Sequence, residues 1–186
     1  MPALVPLSFW KPTDVLMVPD LATQSASATD SALMGLSGEE KLTVQSLLYG
    51  LLLNSGADAA YTLSMNFTGS QSAFLKEINK KAAELHLKNT HFQNEIGLDD
   101  KEQYSSVIDL ARLATFALKN PLFAKIVATK NITVSDVSKK HWYNLENLNN
   151  LLWDAPGANG VKTGYTQQAG ENLVAQGERN GHRVLA

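Results

Sequence analysis

Lys162-Thr163-Gly164 puts a cation, a hydroxyl and a bare stretch of backbone side by side near the end of this sequence. A cation beside a hydroxyl suits an anionic ligand, and glycine lets that ligand lie close to the chain. Two chemistries use such a triplet. One is phosphate binding by a Walker A loop, which needs Gly directly before Lys-Thr and a helix after it. Here Val161 precedes the lysine and Gln167-Gln-Ala-Gly170 leads into a strand, so a nucleotide loop does not fit. The other is serine acyl transfer, in which Lys-Thr-Gly accompanies serine-bearing motifs elsewhere in the chain. Lys-Thr-Gly by itself reads as an ordinary edge strand with an exposed lysine.

Two serines compete for that part. Ser55-Gly56 breaks an apolar helix far upstream, and a serine hydroxyl can both donate and accept a proton. Ser8-Phe-Trp-Lys11 matches S-x-x-K literally. A Ser–Lys nucleophile, however, needs the lysine one turn later on the same helix face. Pro6 before the pair and Pro12 after it rule out a continuing helix there, so the segment reads as a helix-to-strand connection.

The elements that must position these residues follow from periodicity. Val15–Val18 reads as a short strand between two prolines. Residues 22–32, nearly all Ala, Ser, Thr, Gln and Asp, read as a loop. Thr43 caps a helix whose Val44, Leu47, Leu48, Leu51 and Leu52 recur at helical spacing and should be deeply buried. Asp58 reads as the cap of the Ala-rich segment beyond the Asn54-Ser55-Gly56 break. Ser70 opens a helix with Phe74, Leu75, Ile78, Ala82 and Leu85 inward and a Glu77–Lys81 pair outside. Residues 89–103 are a loop. Ser106-Val-Ile-Asp109 fits a capping box, with Asp in the place of Glu or Gln, for a helix burying Val107, Leu110, Ala111, Ala114 and Leu118. Asn120-Pro121 ends that helix and begins another. After Asn131 the period changes: a hairpin around 132–134 and Trp142, strands over 161–165 and 171–178, and an Asn180-Gly181 turn into a last strand. Helices first and strands last give an α+β fold with an antiparallel sheet.

Composition narrows the field. The 186 residues fit one domain spanning 1–186. Sixteen basic against eighteen acidic residues leave no surplus to neutralise phosphates, so nucleic acid is not a partner. The absence of cysteine excludes thiolate metal sites and disulfides. Histidines 86, 91, 141 and 182 have no ligand spacing, so no metal or other cofactor is expected. Trp10, Trp142 and Trp153 read as core or rim packing. Apolar Met1–Val5 and strand-like His182–Ala186 suggest that both ends are cut from something longer, and no signal peptide or membrane span is visible.

Several segments together carry a resemblance: Leu47–Ala60, Leu87-Lys-Asn-Thr-His-Phe-Gln93 with Gly97-Leu-Asp99, Tyr104-Ser-Ser106, Leu151-Leu-Trp-Asp154, and Gly160–Thr166 with Ala169-Gly170 and Asn172-Leu-Val174. The chain resembles the serine D-alanyl-D-alanine carboxypeptidases, the low-molecular-mass penicillin-binding proteins of the peptidase S11 type. The resemblance implies a β-lactamase/transpeptidase-like fold, an antiparallel sheet flanked by helices, here incomplete at both termini. It implies a substrate, the D-Ala-D-Ala end of a peptidoglycan stem peptide, and inhibition by β-lactams. It also implies work outside the cytoplasmic membrane, with export signal and anchor on segments absent from this sequence.

The resemblance also implies roles. Ser55 matches the family's second serine, relaying a proton to the leaving amine. Lys162 supplies positive charge and Thr163 a hydroxyl to the substrate carboxylate. Gly164 leaves room for the substrate, and the Tyr165 N–H is an oxyanion donor of a kind worth about 3 kcal/mol in acyl-transfer enzymes. Two departures stand out. Ala57 replaces the family's Asn two residues after Ser55, and the nucleophilic S-x-x-K is expected upstream of Met1. The chain alone is therefore expected to be inactive. Two rival readings are a class A β-lactamase using Glu95 within Glu95-Ile-Gly-Leu98-Asp99, and a non-catalytic relic that only binds peptidoglycan peptides.

Overall fold

The computed structural model of the chain describes residues 1–67 and 70–186. Helix α1 (Leu4–Phe9) forms with Pro6 inside it. Early in a helix a proline forfeits no intrahelical bond, because the first four N–H groups lack one anyway. Pro6 is thus compatible with a helix, contrary to the sequence reading. The helix still stops before Lys11, since Pro12 disfavours helical backbone at the residue ahead of it.

Strand β1 (Val15–Met17) pairs antiparallel with β2 (Lys41–Thr43). Between them, α2 (Asp20–Ser27) takes up the first part of the stretch 22–32 that the sequence reads as a loop. Its composition hid a helix because the buried contacts are the methyls of Ala22 and Ala26, one turn apart, rather than large apolar groups.

Helix α3 (Val44–Leu53) opens as expected: the Thr43 hydroxyl accepts from the Ser46 N–H. The sequence suggested one apolar face, but the helix is buried all round. Gly50 allows this, because a Cβ there would stand 2.2 Å from the Met34 sulfur. Helix α4 (Ala57–Asn66) follows after a three-residue break, Asn54-Ser55-Gly56, and packs on both α2 and α3. Its N-cap is Gly56 without a side-chain cap, so Asp58 is not the expected cap but a first-turn residue.

Helix α5 (Gln71–Glu84) is capped by Ser70 and buries Phe74, Ile78 and Ala82. The expected Glu77–Lys81 pair is replaced by i,i+3 pairs, Glu77 with Lys80 and Lys81 with Glu84. An aromatic cluster joins α1 to α5: Phe67 lies 4.6 Å from Phe9 and 5.5 Å from Phe74 between ring centroids.

The loop over 89–103 leads to α6 (Val107–Ala117), and Ser106 caps it by accepting from the Asp109 N–H. Asp109 does not complete a capping box. Its buried carboxylate accepts from the Asn89 N–H at 2.7 Å and from Thr90 at 3.0 Å, holding the loop to the helix. Val107, expected inward, is 84% exposed because the apolar face lies around Ala114 and Ala117. Asn120 caps α7 (Pro121–Val127), with Pro at the first turn.

Strands β3 (Asn131–Ser135) and β4 (Trp142–Glu146) form the expected hairpin. After the short α8 (Leu151–Asp154), strands β5 (Ala158–Thr166), β6 (Gly170–Arg179) and β7 (His182–Leu185) make an antiparallel sheet in the order β5-β6-β7. Asn180 and Gly181 both have positive φ, 52° and 77°, which suits the twist of a two-residue hairpin. Strand β5 lies at one edge of this sheet and packs on α7 and α8.

A buried leucine of α3 and an exposed valine of α6 should respond differently to truncation. Leu48→Ala should cost about 2–5 kcal/mol, and Val107→Ala should stay within about 0.5 kcal/mol. Urea unfolding of the two variants checks this, and a large loss for Val107→Ala would contradict its exposed placement.

Candidate active site

Ser55 sits in the break between α3 and α4, with its backbone in the left-handed region at φ 56°. That conformation is uncommon for a residue with a Cβ and persists only where neighbours hold it. They hold it on both sides. The Asn54 amide oxygen accepts from the Glu146 N–H on β4 at 3.2 Å, and the Gly56 N–H donates to the Gly50 carbonyl at 3.0 Å. A Cβ on Gly56 would stand 3.0 Å from the Met34 nitrogen and 3.1 Å from the Gly50 oxygen, so the turn has no spare room.

Lys162 reaches this turn from β5. Its Nζ donates to the Ser55 Oγ at 2.6 Å and to the Thr163 carbonyl at 2.9 Å. Residues 107 apart in sequence thus share a direct hydrogen bond. Burial lowers the lysine pKa from 10.5 to about 8, and it makes no salt bridge among the described residues. Among the described residues its hydrogen bonds go to a hydroxyl and a carbonyl, an arrangement with chemistry suited to an anion.

The rest of β5 continues the site. Thr163 pairs with Leu173 and is half-buried, while Gly164 and Tyr165 are exposed opposite Asn172 and Glu171. A Cβ on Gly164 would meet nothing within 4 Å, so open space lies beside the backbone there. The strand's other edge pairs with no described strand, and such an edge can accept an extended peptide. Lys162, Thr163, Gly164 and Ser55 thus border one region. Ala57 is buried and carries no amide towards it.

Ser8 plays no part in this site by its bonding. Its Oγ donates to the Leu4 and Val5 carbonyls within α1, and Lys11 lies past the helix end. Glu95, the acid considered for deacylation, accepts from Ser64 Oγ at 2.8 Å and from Gln71 Nε2 at 2.9 Å, tying α4 to α5. Among the described residues no cluster of His, Asp and Glu could hold a metal ion.

Two supports were not legible in the sequence. The buried Asn149 donates from Nδ2 to the Gly160 carbonyl at 3.0 Å, and buried Asn147 donates to the Val127 and Thr129 carbonyls. Together they fix the entry of β5 against α7. Gly160 is needed there, since a Cβ would stand 2.9 Å from a Val127 methyl and φ is 145°. The Asn-rich run between β4 and α8 was the available signal, but its partners lie on other elements.

Comparison with known proteins gives this geometry a context. The family described as D-alanyl-D-alanine carboxypeptidase, peptidase S11, matches residues 8–186. The chain is 36% identical over 165 residues to the D-alanyl-D-alanine carboxypeptidase DacF of Bacillus subtilis, covering 88% of this chain and 42% of that protein. It is 39% identical over 156 residues to the D-alanyl-D-alanine carboxypeptidase of Streptomyces sp. K15, covering 78% of this chain and 54% of that one. The chain thus spans about two-fifths to one-half of these relatives. The crystal structure of the Streptomyces K15 DD-transpeptidase superposes with a TM-score of 0.89 at 32% identity, over 100% of this chain and 76% of that one. The α+β arrangement is therefore the penicillin-binding, β-lactamase-like transpeptidase fold, and the chain belongs to the D-alanyl-D-alanine carboxypeptidase family, peptidase S11.

Proposed function

We propose that this chain carries the substrate-binding side of a serine-type D-Ala-D-Ala carboxypeptidase, which removes the terminal D-alanine of peptidoglycan stem peptides through an acyl-enzyme. The observation that carries this reading is the 2.6 Å contact between Lys162 Nζ and Ser55 Oγ beside an open strand edge. The terminal carboxylate of the peptide binds at Lys162 and the Thr163 hydroxyl, and the peptide backbone lies along Gly164. The Tyr165 N–H accompanies the developing oxyanion.

Ser55 relays the proton. Its hydroxyl passes its own proton to the departing D-alanine amine while the Lys162 Nζ proton passes along the hydrogen bond to the Ser55 oxygen, so the hydroxyl is restored. The nucleophile is a serine with a lysine one helical turn away, and Ser8 and Lys11 do not make that pair. By this reading residues 1–186 bind the peptide and do not form an acyl-enzyme by themselves. β-Lactams engage the site in the whole protein, which works outside the cytoplasmic membrane. Among the described residues no helix is long and apolar enough to cross a membrane.

Buried Ala57 favours a second reading, in which the site holds peptidoglycan peptides without catalysis. An Asn at that position would add a side-chain amide for the substrate's peptide group, and losing one such bond costs on the order of 1 kcal/mol. That is a weakening of affinity rather than a loss of the site.

Titrating the labelled chain with a peptide ending in D-Ala-D-Ala should shift resonances of Ser55, Lys162 and Thr163, and Lys162→Ala should abolish the response. Silence at all three in the wild type would sink the reading. Incubation with a penicillin should leave the mass of this chain unchanged, and a stoichiometric adduct would show that it does supply a nucleophile.

The low pKa of Lys162 has a stability consequence of fixed sign. Between about pH 8 and the unfolded value of 10.5, the unfolded chain binds the proton that the folded chain has lost. Stability from this group therefore rises with pH across that window. Against Lys162→Met, the wild type should gain in urea midpoint as pH goes from 8 to 10. A gap independent of pH would show that the amine is not desolvated.

A further inference from the structure

We infer that Asp58 is a positioning residue for Ser55, acting through a buried carboxylate that fixes the serine's left-handed turn beneath the Lys162 amine. The inference rests on the proposed role of Ser55 and deepens it.

Asp58 is 2% exposed, three residues beyond Ser55 on the first turn of α4. Its two carboxylate oxygens take four backbone N–H groups. Oδ1 accepts from Met34 at 2.8 Å and Ala59 at 2.9 Å, and Oδ2 accepts from Gly35 at 2.8 Å and Leu36 at 2.9 Å. It makes no salt bridge among the described residues. A buried carboxylate is costly unless its lone pairs are filled, and here peptide dipoles and the helix N-terminus fill them. One side chain thereby clamps the 34–36 segment to the base of α4.

That segment forms the wall of the Ser55 turn. The Met34 nitrogen lies where a Gly56 Cβ would come within 3.0 Å, and the Met34 side chain fills the space left by Gly50 on α3. The Ala57 N–H donates to the Ala32 carbonyl at 2.8 Å. Residues 32–36 thus bridge the end of α3 and the start of α4, with Ser55 between them. Without the carboxylate, three of the segment's N–H groups would lose their partner, and Ser55 could leave its uncommon φ. The Oγ would then move from Lys162, and water would reach the amine.

The test reads Lys162 rather than overall stability. In the chain with labelled lysine Cε and Nζ, Lys162→Arg assigns the resonance, and the wild type should titrate near pH 8. Asp58→Asn should raise that midpoint by about half a unit or more, towards an ordinary lysine, and Asp58→Glu should raise it less. Asp109→Asn removes another buried carboxylate that accepts backbone N–H, and it should destabilise the fold while leaving Lys162 alone. Folded Asp58→Asn and Asp58→Glu chains with an unchanged Lys162 midpoint would overturn the inference. If Asp58→Asn does not fold, an unchanged midpoint in Asp58→Glu overturns it equally. Failure of the wild type to bind peptide would count against the proposed function and would leave this comparison intact.

Discussion

The burial of α3 on every side is the constraint on which the rest depends. A helix apolar all round cannot stand alone in water and needs partners on each face. Helices α4 and α7 and strands β2, β3 and β4 supply them. Because α3 ends at Leu53, each contact that buries it also fixes where Asn54 and Ser55 begin. The serine is thus placed by the core and not by its own loop. Gly50 and Met34 show how tight the arrangement is, with the methionine sulfur in the space of a missing methyl.

The second half of the site arrives by a different route. Lys162 stands on an edge strand whose entry is fixed by Asn149 and by the close approach of Gly160 to Val127. The two halves meet across a desolvated hydrogen bond, and among the described residues no salt bridge neutralises the lysine. A surface lysine would find a carboxylate or water at little gain. Here the charge is buried without such a partner, and the lowered pKa is the cost of keeping it there.

Much of this was legible in the sequence, and the exceptions share a cause. Thr43, Ser70, Ser106 and Asn120 cap helices where their types and spacing put them, because capping is a local bond. Ser55 and Lys162-Thr163-Gly164 were legible as a pair of motifs, and the fold brings them into contact. Helix α2 was missed because alanine methyls give no strong periodic signal. Asp58 and Asp109 were read as cap residues because their true partners, at 34–36 and 89–90, are distant in sequence. Val107 was assigned inward from a pattern that leaves the choice among neighbouring apolar positions to tertiary packing.

The edge position of β5 bears on how the molecule opens. Helix α3 is enclosed by the core, whereas much of the sheet over β6 and β7 is exposed, Leu173 and Val184 included. Local opening starts where few apolar contacts must be broken. Amide exchange should thus form a gradient across the site, slow beneath Ser55 and faster along the sheet that carries Lys162. The contact between Ser55 and Lys162 would open through fluctuations far smaller than global unfolding. Any strand added at the free edge of β5 would bring backbone pairing to the weaker wall and level the gradient.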